Sequence, residues 1–334
     1  MKKILVIRVG RAGDMVMITP SLLAILDNYP EHEIDVLTSA DGKRVLNGFH
    51  ERLTKIYVFK SGGIKSYIER IKQIKQIRKN KYEYVFNFEL KPSYKKIYQD
   101  MDVAKFELHQ SDENKNYAKR CLDVVQRSVN VKIKDYWDWL PVTMEGMDKA
   151  KKQLADAGVS DEDFIIGVHP SFSGLKKGMF SDKSQNYLRE WPPEHFAKVI
   201  KLLADYGEAN NLNLKIIMDL LPDEIELGRQ IVKESEDKVT LFTPKPDFER
   251  YKALIKRIDL LISPNTGPMH IAAAVGTKNV CLFSGKSPDD CGPYMKKEDY
   301  LVLRAENYEE AHLGLRAIKP EYVFDACIKF LPAK

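Results

Sequence analysis

The stretch Asp259-Leu-Leu-Ile-Ser-Pro-Asn265-Thr266-Gly267-Pro268-Met269-His270-Ile-Ala-Ala-Ala-Val-Gly276 decides how the rest of the chain is read. An apolar run of strand length passes into a turn, and the turn opens a helix of small residues. The first N–H groups of such a helix lack intrahelical partners and lie at the positive end of its dipole, so the backbone near Thr266 and Gly267 can hold an anion such as a diphosphate. Gly267 allows close backbone approach, and Pro268 suits a first helical turn, where its missing N–H costs nothing. Ala272, Ala273 and Ala274 let the helix pack close to a sheet. The same residues would also build an ordinary strand-turn-helix core unit, so the local pattern leaves both readings open.

Working outward, strand-like and helical runs alternate from the amino end: strand 4–9, helix 19–28, strand 33–38, helix 45–49, strand 55–59, a basic helix within 60–81, and strand 84–88. Alternation of this kind implies βαβ units and a parallel sheet. Residues 91–138 are polar and rich in Lys, Tyr and Asp, and read mostly as loop and helix. Residues 141–144 read as a short exit strand, and 148–158 as a helix stopped by Gly158. The alternation then restarts: strand 164–168, helix 192–206, strand 214–218, helix 223–234, strand 239–242, helix 248–257, strand 259–263, the Gly267 helix, strand 279–283 and a last helix, 320–331. The expected architecture is α/β with two Rossmann-like βαβ domains, 1–155 and 156–334, facing each other across a cleft, the last helix being a candidate to pack back on the first domain. Ligands of open α/β sheets sit beyond the carboxyl ends of the strands, so chemistry is expected in that cleft.

Composition narrows the class. A chain of 334 residues with 44% apolar content can fill two cores. No apolar run approaches the roughly 20 residues of a membrane span, and the start enters a strand directly, so no secretion signal is expected. Cys121, Cys281, Cys291 and Cys327 show no metal-ligand spacing and read as reduced thiols. The chain carries a net +5, and residues 1–150 hold 27 Lys and Arg against 20 Asp and Glu, or +7, leaving −2 for the remainder. Much of the excess lies where Lys65, Arg70, Lys72, Lys75, Arg78 and Lys79 interleave with Ile64, Ile68, Ile71, Ile74 and Ile77. The three-and-four spacing predicts an amphipathic helix with a cationic outer face, either merely solvated or a surface for an anionic glycolipid or membrane leaflet. Nucleic acid is not indicated, since the net charge is mild and no binding motif is present.

Several constellations can carry chemistry. Gly10-Arg11-Ala12-Gly13-Asp14 joins the first strand to the first helix; it has half of a dinucleotide-binding glycine pattern, and Asp14 is either an N-terminal helix acid or a base that takes a proton from a hydroxyl. His169-Pro170-Ser171-Phe172-Ser173 follows the first strand of the second array. A polar loop holding Lys176, Lys177 and Lys183 then leads to Arg189, whose guanidinium can fork onto diphosphate oxygens. Glu224 either accepts from a ribose diol or stabilises its own helix. Asp100-Met-Asp102 and Asp161-Glu-Asp163 read as turn acids rather than a metal site.

Taken together in their order and spacing, KILVIRVGRAGDMVMITP (3–20), YEYVFNF (82–88), HPSFS (169–173), REWPPEHF (189–196), LPDE (221–224) and DLLISPNTGPMHIAAAVGT (259–277) resemble glycosyltransferase family 9, the ADP-heptose:lipopolysaccharide heptosyltransferases. The resemblance implies a GT-B fold, with acceptor bound by the first domain and sugar nucleotide by the second, and inversion at the anomeric carbon. It also implies an ADP-sugar donor, ADP-heptose by preference, an anionic glycolipid or glycan acceptor, no tightly bound cofactor, and a divalent metal not required or only loosely involved. Asp14 matches the family's base and Arg189 stands where a lysine usually meets the donor phosphates. Ser171, Glu224, Asn265, Thr266, Gly267, Pro268, Met269 and His270 fall to the donor, and Arg11, Gly13, Lys72 and Lys75 to the acceptor. Asn265 replaces the family's usual Asp. A cytoplasmic place, peripheral at the inner membrane, would follow. A sugar-nucleotide hydrolase or epimerase, or a non-catalytic sugar-nucleotide binder, is the alternative.

Overall fold

The computed structural model describes residues 2–60, 62–109, 114–172 and 187–332. The chain divides into two compact units, Met1–Pro141 and Val142–Lys334.

In the first unit β1 (Lys2–Ile7) is followed by α1 (Ala12–Val16), α2 (Thr19–Asn28), β2 (His32–Thr38), α3 (Ala40–Leu46), β3 (Leu53–Val58), α4 (Gly63–Lys79), β4 (Tyr84–Asn87), α5 (Pro92–Lys95), β5 (Ala104–Glu107) and α6 (Tyr117–Gln126). The strands form a parallel sheet in the order β3-β2-β1-β4-β5. Ile4, Leu5, Val6 and Ile7 are all fully buried, as a central parallel strand covered on both faces requires. Register pairs Ile4 with Ile34 and Val6 with Val36 on one side, and with Tyr84 and Phe86 on the other.

The second unit runs α7 (Met144–Asp156), β6 (Phe164–Val168), α8 (Pro193–Asn210), β7 (Leu214–Asp219), a 3₁₀ turn (Pro222–Glu224), α9 (Ile225–Glu234), β8 (Thr240–Phe242), α10 (Phe248–Arg257), β9 (Leu260–Pro264), α11 (Gly267–Val275), β10 (Lys278–Phe283), α12 (Pro288–Cys291), β11 (Tyr300–Arg304) and α13 (Pro320–Cys327). Its parallel sheet has the order β11-β10-β9-β6-β7-β8. A core of Ile166, Phe196, Ile200, Leu203, Met218, Ile262 and Val280 lies between sheet and helices.

Some local expectations change, among them the helix expected at 45–49, which runs instead over Ala40–Leu46 with Ser39 as its cap. Residues 141–143 form no strand; Thr143 instead caps α7, its side chain accepting from Gly146 N, so the helix begins four residues earlier than its apolar spacing suggested. That helix belongs to the second unit because Lys149 pairs with Asp247 at 2.9 Å and Gln153 donates to Asp219 at 3.0 Å. Two edge strands, β5 and β11, went unread, since neither is a fully buried apolar run. The last helix lies on α8, β10 and β11, burying Val323, Ala326 and Cys327.

Candidate functional site

Both sheets contain a point where the strand order reverses, and ligands of open α/β folds bind beyond the carboxyl ends of the strands there. In the first unit this point lies between β1 and β4. Phe88 N donates to Ile7 O at 3.0 Å, which sets the residues after β4 beside those after β1. Val9 N donates to Glu89 Oε1 at 2.6 Å, and the Arg8 guanidinium spans Glu89 at 3.3 Å and Asp14 Oδ1 at 2.8 Å. Asp14 Oδ2 accepts from Arg11 N at 2.8 Å. The Asp14 side chain keeps 35% exposure whereas that of Glu89 keeps 6%. A Cβ at position 10 would lie 2.4 Å from the Asp14 Cβ, so glycine is what admits the carboxylate here.

Arg8 sits 4.6 Å from the Tyr117 ring centroid, and Tyr117 in turn donates to Phe88 O at 2.5 Å. Burial alone would lower the guanidinium's pKa, but Tyr117, Asp14 and Glu89 more than offset it and raise it above its ordinary value. The result is a fixed cation between a buried carboxylate and an accessible one. A half-exposed carboxylate aimed by two donors can take a proton from a hydroxyl placed on its open side.

In the second unit the reversal lies between β6 and β9, and His169 N donates to Ile262 O at 2.9 Å. The residues after these two strands are therefore neighbours: His169 to Phe172 on one side, Asn265 to Pro268 on the other. Asn265 through Pro268 are half-buried at the amino end of α11, and Asn265 Nδ2 donates to Cys291 Sγ at 3.2 Å. Thr266 caps the helix in an extended conformation, its hydroxyl turned to Pro264 O at 3.2 Å rather than onto the helix. Met269 is buried against Cys281 and Phe283, which leaves its side chain to the core, and His270 is buried as well.

Arg189 lies 5.8 Å from the ring centroid of Phe172, so its guanidinium joins the residues that follow β6. Its turn is held from behind. Arg316 donates to Tyr187 O at 2.6 Å and to Glu190 Oε2 at 2.5 Å, and buried Trp191 donates to Ile318 O at 2.8 Å. Ser171 Oγ is 3.2 Å from His169 Nε2. Burial holds the His169 imidazole below its ordinary pKa despite the opposing pull of Glu224 and Asp219. Its Nδ1 is buried and finds no hydrogen-bond partner among the described residues.

Glu224 follows the next strand, β7, and its Oε2 accepts from Leu221 N at 3.1 Å, a capping bond. Asp219, at the end of β7, is paired with Arg250 at 2.7 and 2.9 Å. Of the residues expected on the acceptor side, Gly13 is buried in α1 and Arg11 is exposed at its start. Lys72 and Lys75 stand on the exposed face of α4 and make no hydrogen bond or ion pair among the described residues. The lysines of the loop at 174–186 lie outside the described residues. Asp161 pairs with Lys151 at 3.0 Å and Asp163 accepts from Ser160 N at 2.6 Å, the turn roles expected of them. Arg8 and Glu89 escaped the sequence reading, and Phe172 stood in it without a role of its own. A charged residue directly after an apolar strand, as in Ile7-Arg8 and Phe88-Glu89, was the available signal.

Two parallel-sheet α/β domains, each with its candidate residues at the reversal point of its own sheet, have the architecture of the GT-B class. Residues 103–317 match the family model described as glycosyltransferase family 9 (heptosyltransferase), and the chain belongs to that family. It is 23% identical over 321 residues to lipopolysaccharide heptosyltransferase 3 of Escherichia coli K12, covering 89% of this chain and 86% of that one. A shorter match, 24% over 165 residues, is to the lipopolysaccharide core heptosyltransferase OpsX of Haemophilus influenzae and spans 49% of this chain but only 46% of the relative. Among solved structures, the E. coli ADP-heptose lps heptosyltransferase II superposes with a TM-score of 0.72 at 19% identity, covering 99% and 98% of the two chains. No helix among the described residues is long and apolar enough to cross a membrane.

Proposed function

We propose that this protein transfers a heptose from ADP-heptose to a hydroxyl of a lipopolysaccharide core or related anionic glycolipid, with inversion, at the cytoplasmic face of a membrane. The observation that carries the reading is Asp14: a half-exposed carboxylate at the β1–β4 reversal point, aimed by Arg8 and the Arg11 amide. In the proposed reaction Asp14 takes the acceptor's hydroxyl proton as that oxygen bonds to the anomeric carbon, and the bond from that carbon to the diphosphate breaks on the opposite face. ADP departs with the bonding pair. Negative charge grows on the leaving diphosphate, so the Arg189 guanidinium and the amides following Asn265 stabilise the transition state more than the ground state. Relatives that bear heptosyltransferase names, among them the superposed ADP-heptose lps heptosyltransferase II, support this choice of donor.

Asp14→Asn tests it. Turnover should fall by roughly 10²-fold or more, the usual weight of a general base, with ADP affinity by calorimetry unchanged. Undiminished turnover would remove Asp14 from the chemistry. Release of ADP at the same rate without acceptor would assign the protein to hydrolysis instead.

A further inference from the structure

The first half of α4 carries an apolar stripe that no described residue covers. Ile64, Tyr67, Ile68 and Ile71 keep 80%, 65%, 47% and 38% of their surface exposed. Their spacing of three and four sets them in one line along the helix. At about 100° per residue, the line is turned roughly 130° away from Ile77, the helix's fully buried residue. The isoleucines of this helix thus serve two faces: Ile77 and half-buried Ile74 join the core, whereas Ile64, Ile68 and Ile71 point to solvent.

Charge completes the pattern. The helix holds six cations and a single acid, Glu69. Arg70 is committed to Lys60 O and Arg78 to Ile97 O, but Lys65, Lys72, Lys75 and Lys79 make no hydrogen bond or ion pair among the described residues. All four are exposed; Lys65, Lys72 and Lys79 flank one side of the apolar line, and Lys75 continues it at its carboxyl end. An uncovered apolar stripe bordered by lysines has the makeup of a helix that lies in the plane of a bilayer, its apolar side chains among the acyl chains and its ammonium groups at anionic headgroups.

We propose that α4 docks this protein on an anionic lipid surface, with Ile64, Tyr67, Ile68 and Ile71 inserted and Lys65, Lys72, Lys75 and Lys79 at the headgroups. A second copy of the chain is disfavoured as occupant, because pairing two such helices, each with six cations and one acid, would set like charge against like. The proposal takes its purpose, though none of its physical support, from the glycolipid acceptor proposed above.

Flotation of the full chain with vesicles tests it, comparing phosphatidylglycerol mixed with phosphatidylcholine against phosphatidylcholine alone. The parent should float with the anionic vesicles only, and salt should release it. Ile64→Ser with Ile68→Ser should weaken binding by about tenfold, through lost apolar burial. Removing the charge of Lys65 by Lys65→Gln should cost about fivefold. The serine variant, altered only at exposed positions, should keep the parent's melting temperature and its rate of sugar transfer to a water-soluble acceptor fragment. Equal flotation with neutral vesicles, or serine-variant binding equal to the parent's, would overturn the proposal. So would a parent dimer in sedimentation that the serine variant loses, which would give the stripe to a second copy. Vesicle binding as expected, with no sugar transferred from any sugar nucleotide, would retire the catalytic reading and leave the docking surface standing.

Discussion

Arg8 touches two carboxylates of unequal exposure, and its removal separates what it does for the fold from what it does for the site. Arg8→Met leaves the nearly buried Glu89 carboxylate with, among the described residues, only the Val9 amide as a donor, at a cost of about 3 kcal/mol in denaturant unfolding. Adding Glu89→Gln takes that stranded charge away and should restore most of the stability. It should not restore turnover, because Asp14 has still lost the guanidinium that aims it. Recovery of both together would mean that Arg8 serves the fold alone. At the other reversal point Cys291 offers a probe. Burial pushes Cys121 up to about 12 and raises Cys281 and Cys327 as well, whereas Cys291 is half-exposed beside Asn265. A maleimide should label Cys291 first in the native protein, since the accessible thiolate is the reactive form. ADP should slow that labelling, and indifference to ADP would place the nucleotide elsewhere. The placement of Asp14, Asn265 and Thr266 was legible in the sequence because each sits where a strand feeds a helix. Arg8 and Glu89 were not, because their partnership spans 81 positions and depends on which strands are neighbours.

At the scale of elements, strands showed themselves in proportion to their burial. β1, β6 and β9 are continuous apolar runs and were found; β5 reads Ala-Lys-Phe-Glu, half exposed at a sheet edge, and carries no such signal. The isoleucine spacing of α4 gave the helix but not the direction of its faces, since a period says which residues align and not what lies opposite them. The turn bearing Arg189 shows how a distant element fixes a site. Gly314 has φ of +63°, and a Cβ there would fall 2.2 Å from Leu188 O. Gly314→Ala must therefore push away the 187–190 segment that Arg316 otherwise clamps. The expected result is a fall in kcat/KM of at least about tenfold, given what small misplacements of charged groups cost catalysis, together with weaker ADP binding. Binding to anionic vesicles, which resides in the other unit, should be untouched. A variant with full activity would show that the turn holds Arg189 without help from Gly314.

For the molecule as a whole, the two sheets repeat one plan, with the first strand at the centre and the order reversing beside it, and acid should tell the two units apart. Burial lowers the pKa of His169, and it lowers that of His195 too, with Arg316 adding to the effect and Glu194 and Glu321 opposing it. Both histidines belong to the unit Val142–Lys334. An unfolded imidazole titrates near 6.5. Above that pH neither state carries the protons and the unit has its full stability; as pH falls below it, the unfolded chain takes up protons that the folded unit refuses, and folding free energy drops. The slope approaches at most about 1.4 kcal/mol per pH unit for each histidine until its folded pKa is reached. In the unit Met1–Pro141 the shifts that make stability depend on acid are of another kind. Asp27 is held below its ordinary value by Lys134, and Glu107 by Lys95 and Tyr98 against the effect of burial. Their contribution is complete above the unfolded carboxylate value of about 4 and is lost only below it. Between pH 7 and 5, hydrogen-exchange protection factors, which already discount the slower intrinsic exchange in acid, should therefore fall in the cores of β6 and β9 well before they do in β1. Replacing both histidines by glutamine should flatten that dependence. If the double variant keeps the parent's full loss of protection, the two imidazoles are not its source.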